Sequence, residues 1–246
     1  MTQQIVTVDA FTDRPFAGNP AAVCVLDAYP DDRWMQAVAT EMNLSETAFV
    51  VARGDGDGDW DLRWFSPTVE VDICGHATLS AAHVLWQDGH APKDAGLRFH
   101  TRSGILGADA DGDWIELDFP VAPADDPLVE VRELPSEDQL RAFKPDMAEL
   151  EQASARVVYY TAPGDDGFDY ADRVFGPKVG IPEDPATGSA HCTLGPMWAT
   201  RLGKREMLAR QASARGGVFR VRVADDRVKI AGQAVTVLRA TLASAP

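Results

Sequence analysis

Gly180-Ile181-Pro182-Glu183-Asp184-Pro185-Ala186-Thr187-Gly188-Ser189-Ala190-His191 is the stretch from which the fold can be read. It follows a strand-like run, Tyr170 to Phe175, and precedes a helix-compatible run that ends near Arg201. Pro182 and Pro185 each lack a backbone N–H, which bars a regular helix or a central strand through the middle. The reading is strand, rigid polar turn, helix N-terminus. Free N–H groups at a helix start, aided by the helix dipole, favour an anion. Asp184 sets a carboxylate beside them and Ser189 a hydroxyl. An acid/base group next to an anion cradle suits a small carboxylate substrate. The plainer alternative is a loop followed by a helix start, since short motifs often match by chance.

A second copy of the pattern shifts the balance. Residues 71–82, VDICGHATLSAA, also follow a strand-like run (Leu62 to Phe65), pass an acidic residue and enter a small-residue helix at Gly75. Cys74-Gly75-His76-Ala77 can be laid over Thr187-Gly188-Ser189-Ala190. Two helix starts of one design predict two similar lobes facing one cleft. The division expected is 1–122 and 123–246, joined through the Pro120–Pro127 linker, with the extreme C-terminus free to pack on the first lobe.

Composition narrows the function classes. The chain has 246 residues, enough for one large domain or two small lobes. Its net charge of −15 argues against nucleic acid as a partner, because phosphate binding needs clustered Lys and Arg. The acidic run Gly54-Asp55-Gly56-Asp57-Gly58-Asp59 lacks the spacing and final Glu of a calcium loop and reads as a solvated hairpin tip. Three widely spaced cysteines, Cys24, Cys74 and Cys192, fit a reducing compartment. No basic, apolar leader and no membrane-length apolar run is present, so a cytoplasmic protein without membrane contact is expected.

Taken in order, Gln4–Phe11 and Ala21–Leu26 read as strands, and Asp31 or Asp32 caps a helix with Trp34, Met35, Val38, Ala39 and Met42 at helical spacing. Asn43 ends it, and Leu44-Ser45-Glu46-Thr47-Ala48-Phe49-Val50-Val51 follows. Glu46 lies where the helix gives way to an apolar strand. A carboxylate among Leu44, Phe49 and Val50 would be desolvated, which raises its pKa and suits it to acid/base work near neutrality. Read alone, a glutamate pointing to solvent is the more ordinary explanation. The helix over 76–87 is apolar nearly all round, so it is expected to be buried and ringed by strands. His76 and His83 lack the spacing of a metal site, and His83 reads as a hydrogen-bonded helix histidine. Short strands follow over 97–102, 105–108 and 114–119. Ser136 with Gln139 and Asp146 with Glu149 mark the caps of two short helices. Strands over 157–162 and 169–175 precede the opening motif, and Met207 to Leu242 reads as four short strands with a hairpin at Asp225-Asp226.

The segments VDAFTDRPFAGNPAAVCVLD, MNLSETAFV, LRWFSPTVEVDICGHATLSAAHVLW and RVFGPKVGIPEDPATGSAHCTLGPMWA, with RGGVFRV as a weaker one, together resemble the PhzF family of phenazine-biosynthesis-like isomerases. That family is related in fold to diaminopimelate epimerase and proline racemase. The resemblance implies an α+β fold of two similar lobes, each an antiparallel barrel-like sheet around a central helix, with the active site between them. It implies a cofactor-independent isomerase, without metal, acting on a small cyclic carboxylate such as trans-2,3-dihydro-3-hydroxyanthranilate, and a homodimer. Carried over residue by residue, Glu46 of the NLSETAFV motif is the general acid/base. His76 of CGHAT, and Asp184 and Ser189 of DPATGSAH, line the site. Ser45 and the N–H groups of Gly75 and Gly188 bind the substrate. Related epimerases use two opposed cysteines at the two helix starts. Here Cys74 holds the first position and Thr187 the second, so two-thiol racemisation is disfavoured and Cys74 reads as a small packing residue. Two alternatives stay open: an amino-acid epimerase using Cys74 with a carboxylate, and an inactive module that binds small carboxylates. The sequence between Asp125 and Glu133 is short for the family, which predicts a trimmed or rearranged second lobe at that point.

Overall fold

A computed structural model describes residues 2–54, 58–123 and 126–243. The tip of the acidic hairpin at 55–57 and part of the expected linker at 124–125 lie outside the described residues. The order begins β1 (Gln3–Ala10), β2 (Asn19–Leu26), α1 (Asp32–Met42), β3 (Glu46–Ala52), β4 (Asp59–Phe65), β5 (Glu70–Val71), α2 (Gly75–Gln87), β6 (Leu97–Thr101), β7 (Gly104–Asp111) and β8 (Trp114–Pro120). It continues β9 (Val129–Glu133), α3 (Glu137–Ala142), α4 (Met147–Gln152), β10 (Val157–Pro163), β11 (Tyr170–Gly176) and β12 (Ile181–Asp184). It ends α5 (His191–Leu202), β13 (Glu206–Gln211), β14 (Gly217–Ala224), β15 (Arg227–Gly232) and β16 (Ala234–Leu242). The result is an α+β fold in which sheet predominates. The chain divides into two compact units, Met1–Asp118 with Gly232–Pro246, and Phe119–Ala231.

In unit one, β1 lies between β16 and β2, and the sheet runs on through β3, β4, β6, β7 and β8. α2 packs on β1, β2, β3 and β16. Its composition left no polar stripe, and Gly75 to Ala82, Val84 and Leu85 are all buried. His83 is half-buried with Nε2 3.0 Å from Thr236 Oγ1, the ordinary hydrogen bond expected of it. On the opposite face, α1 starts where the Asp31 carboxylate accepts from the Arg33 N–H at 2.7 Å. It ends at Asn43 in the left-handed region, φ 50°. Met35, Val38 and Ala39 of α1 close over Ile5, Cys24, Phe49 and Phe65. Removing a ring such as Phe49 from water stabilises the fold by about 1.5–3 kcal/mol.

In unit two the order is β15-β14-β13-β11-β10-β9, with β12 paired to β11 alone. Pro182 is tolerated because β12 lies off the main ladder, where a missing N–H breaks no central pairing. Pro196 sits inside α5 and leaves the Cys192 carbonyl without its helical donor. The Ala122 N–H fills the gap at 3.1 Å. A Cβ at Gly195 would come within 2.9 Å of Val221 Cγ1, so glycine is what lets α5 seat against β14. Trp198 on the same helix donates from Nε1 to Thr161 Oγ1 at 2.9 Å. Ser136 and Asp146 cap α3 and α4 through their side chains. In the segment expected to be trimmed, β9 pairs with β10.

The sheets are mixed rather than purely antiparallel. The pairs β2–β3, β4–β6, β9–β10 and β11–β13 are parallel. Each is bridged by helix: α1, α2, α3 with α4, and α5, in turn. Parallel neighbours need a crossover of that length, whereas a tight turn can join only antiparallel ones.

Candidate active site

Glu46 opens β3, directly after the α1 cap, and pairs in register with Ala21 of β2. Parallel pairing fixes its backbone, and its side chain is only 13 % exposed. His76 is the second residue of α2 and its side chain is 8 % exposed. Its Nε2 lies 3.0 Å from Glu46 Oε2. Cys74, the residue preceding α2, caps nothing with its side chain and places Sγ 3.5 Å from His76 Nδ1. Ser45 donates to Asn19 Oδ1 at 3.2 Å, which ties the residue before Glu46 to the start of β2.

Electrostatics within this cluster reverse one expectation. Burial is the largest influence on Glu46 and pushes its pKa up, but the charge and hydrogen bond of His76, with a hydrogen bond from Cys74, bring it below the usual glutamate range. The sequence predicted a raised value because the imidazole contact could not be foreseen from spacing. Burial likewise pulls His76 down, and Cys74 and Glu46 carry it well above the usual histidine range. Of those two partners Glu46 is the effective one. Burial first, and then the charge of Glu46, push the Cys74 thiol up to about 11, so it carries no charge near neutrality. The resting cluster is therefore carboxylate, imidazolium and thiol. Two groups driven apart in this way are a base and an acid side by side.

Glu46, Cys74 and His76 each offer one ligand atom, all within 4.8 Å of one another. An O/N/S donor set of three resembles the protein half of a zinc site. The residues are so far apart in the chain, at 46 and at 74–76, that motif spacing gives no sign of it.

The second cluster lies in unit two. Asp184 ends β12 opposite Val174 of β11. Its Oδ2 accepts a short hydrogen bond from the Thr187 hydroxyl. Glu183, its neighbour, turns the other way into a two-point ion pair with Arg173, at 2.7 and 3.0 Å. Ser213 Oγ donates to the Pro185 carbonyl at 2.6 Å. Gly188–Ala190 forms one 3₁₀ turn before α5, with Gly188 buried and Ser189 exposed. The structure thus groups Ser45, Glu46, Gly75 and His76 in unit one, and Asp184, Gly188 and Ser189 in unit two.

Cys74, which the sequence reads as a packing residue or, in the alternative, as an epimerase thiol, is also a contact of the acid/base pair. Other residues escaped the sequence reading. Gln211, fully buried at the end of β13, touches the Asp184 turn at three atoms, and no motif marks it. Asp172 and His191 are fully buried on the inner side of unit two. Burial, then the charge of Asp184, holds Asp172 well above the usual aspartate range, and burial pulls His191 down to about 3. His191 is therefore neutral near pH 7. His191 Nδ1 lies 2.8 Å from the Tyr170 hydroxyl.

Comparison with known proteins places this arrangement. The phenazine biosynthesis-like protein family, PhzC-PhzF, matches residues 8–130 and 125–240. A protein of Halalkalibacterium halodurans named as an uncharacterized isomerase is 48% identical, over 98% of this chain and 99% of its own. A crystal structure of a PhzF-family phenazine biosynthesis protein from Enterococcus faecalis superposes with a TM-score of 0.91 at 35% identity, covering 98% of this chain and 99% of that one. A probable proline racemase from Agrobacterium radiobacter shares the fold, with a TM-score of 0.68 at 11% identity over 99% of this chain and 94% of that one. The protein is an isomerase built on an epimerase-like α+β fold. It belongs to the PhzF family of phenazine biosynthesis-like proteins.

Proposed function

We propose that the protein is a cofactor-independent isomerase that moves a proton on a small cyclic or unsaturated carboxylate, such as trans-2,3-dihydro-3-hydroxyanthranilate, with Glu46 as its acid/base. The observation that carries this reading is the 3.0 Å pair between Glu46 and His76 at the start of α2.

A carbon-bound proton next to an unsaturated carboxylate is weakly acidic. Its removal needs an ionised base in place and fixed positive charge where the electrons move. Glu46 is held ionised, so the base form is fully populated at neutral pH. The depressed pKa also makes it a weaker base. His76, as imidazolium, and the positive end of the α2 dipole offset this by stabilising the developing anion. The proton taken up by Glu46 from one carbon returns to another carbon of the same substrate, which completes the isomerisation with no net consumption of acid. The N–H groups at Gly75 and Gly188 hold the substrate carboxylate, Ser45 and Ser189 bind its polar groups, and Asp184 orients it. These last roles rest on the resemblance of the two motifs, as does the homodimer, which light scattering on the purified protein tests.

The test is proton NMR in D₂O with the wild type and Glu46→Gln, offered the dihydrohydroxyanthranilate and a panel of cyclic and amino-acid carboxylates. Isomerisation or deuterium uptake by the wild type, reduced at least about 10³-fold in the variant, is expected. Full activity in Glu46→Gln removes Glu46 as the base. One observation favours a second reading: Cys74 touches the same pair. An amino-acid epimerase would use that thiol against a carboxylate, and the same spectra would then show deuterium at an inverted α-carbon.

A further inference from the structure

Asp184 is held by its surroundings in an unusually determined way. Gln211 is fully buried, and its carboxamide is spent on one turn of chain. Its Oε1 accepts from the Thr187 N–H at 2.7 Å. Its Nε2 donates to the Asp184 carbonyl at 2.6 Å and to Thr187 Oγ1 at 3.3 Å. Both ends of the Asp184–Thr187 turn are thereby fixed by one side chain on a neighbouring strand. The third bond has a further consequence. An amide nitrogen only donates, so Thr187 Oγ1 is an acceptor toward Gln211 and its own proton is free to point elsewhere. It points at Asp184 Oδ2. With one lone pair engaged by Gln211, the hydroxyl directs its proton at Asp184 and so favours the ionised carboxyl, which accepts it.

We propose that Gln211 is a positioning residue for the reaction: acting through Thr187, it fixes the turn that carries Asp184 and favours the proton-accepting form of the Asp184 carboxyl. The proposal rests on the reading of Asp184 as a substrate contact. Thr187 occupies the place that the sequence pairs with Cys74, so the unit-two helix start carries a hydrogen-bond relay where unit one carries a thiol.

Asp172 on β11 and Tyr159 on β10 both sense the charge of Asp184. Burial is the main cause that raises both; Asp184 adds to it for Asp172, and Cys192, Asp172, Asp126 and Asp184 add to it for Tyr159. His191 of α5 lies 4.0 Å from Asp172 and is neutral above about pH 3.

The experiment has two arms on the full chain. In the first, carboxyl-carbon NMR follows Asp184 through an acid titration in the wild type, Thr187→Val, Thr187→Ser, Gln211→Met and the double variant Thr187→Val/Gln211→Met. Loss of a donor to the ionised form moves a midpoint upward, here by about one pH unit in Thr187→Val and in Gln211→Met. Thr187→Ser keeps the wild-type midpoint, and the double variant moves no further than Thr187→Val. In the second arm, turnover of whichever carboxylate the wild type accepts falls about 10- to 100-fold in kcat for Thr187→Val and Gln211→Met. KM stays within about threefold and Thr187→Ser retains activity. An unmoved Asp184 midpoint in both Thr187→Val and Gln211→Met overturns the proposal whatever the turnover. A moved midpoint with unchanged kcat overturns it as well. A moved midpoint in a protein that turns over nothing upholds the positioning of Asp184 and removes the isomerase reading instead. Because Thr187→Val leaves both backbone bonds of Gln211 intact, it decides the matter even if Gln211→Met does not fold.

Discussion

Replacing Glu46 by Gln should cost the protein stability in a defined pH window. In the folded state the Glu46 pKa lies below its ordinary value of 4.5, and the His76 pKa lies well above 6.5. A depressed carboxyl contributes stability that is present above its unfolded pKa and lost as pH falls through the folded one. A raised histidine contributes stability that is complete below its unfolded pKa and lost as pH rises through the folded one. The two conditions overlap between about pH 4.5 and 6.5, and there the pair contributes most. Removing one partner of a buried pair costs about 3–5 kcal/mol. Here the side chains are 13 % and 8 % exposed, and the glutamine amide can still accept from His76. The imidazole can also shed its proton, so about 2 kcal/mol is the expected loss. For a chain of this size that is a fall in Tm of about 4–8 °C near pH 5.5. Circular-dichroism melts of both proteins from pH 4 to pH 10 measure it, and the gap should close toward alkaline pH as His76 deprotonates. Imidazole NMR should show the His76 midpoint falling in the variant, because the charge of Glu46 no longer opposes burial. A Tm difference that is flat with pH, or that widens above pH 9, would refute the ion-pair assignment.

Three further outcomes follow from the two clusters. Asp172→Asn should change Tm by less than about 3 °C near pH 5, since burial holds the Asp172 carboxyl well above the usual aspartate range; a large loss there would mean that it is ionised. Zinc ions should inhibit turnover reversibly through Glu46, Cys74 and His76. The inhibition should strengthen as pH rises, because the thiol must lose its proton to bind, and it should weaken at least tenfold in Cys74→Ser; inhibition insensitive to that change would place the metal elsewhere. Cys74→Ser should retain isomerase kcat within about fivefold, measured on the same substrate as the wild type, whereas a loss of 10³ or more would make the thiol an obligate proton carrier.

The elements were legible in the sequence where local chemistry decides them. The Asp31 and Asn43 boundaries of α1, the all-round apolar α2, the caps at Ser136 and Asp146 and the hairpin at Asp225-Asp226 all follow from propensity, periodicity and turn residues. The α+β class and the family were legible because several long motifs agree. The parallel pairs were not foreseen, because register between β2 and β3 depends on which way α1 folds back and no single strand carries that information. The downward shift of Glu46 was missed for a similar reason. Its own neighbours, Leu44, Phe49 and Val50, argue for desolvation, while the opposing charge arrives from a helix that begins at Gly75. Gln211 was invisible because its three bonds are all tertiary.

Glu46 and Cys74 differ in what each can do with a proton, and that difference bears on the stereochemistry. Two-base epimerisation needs one resting base and one resting acid on opposite faces of a carbon, each able to exchange roles. Cys74 rests as an acid, but burial and the Glu46 charge push its thiol to about 11, so giving up its proton beside an ionised Glu46 is costly. The cost falls only once Glu46 has taken the substrate proton, for then the repelling charge is gone and His76 stands 3.5 Å away to stabilise a thiolate. Delivery from Cys74 is thus conditional on uptake by Glu46, whereas return of the proton from Glu46 needs no second ionisation. The thiol also sits within the same small cluster, its ligand atom no more than 4.8 Å from that of Glu46, which is too close for the two to attack opposite faces of a bound ring. One-base transfer on a single face is the chemistry this geometry favours, with Cys74 remaining a neutral thiol beside His76.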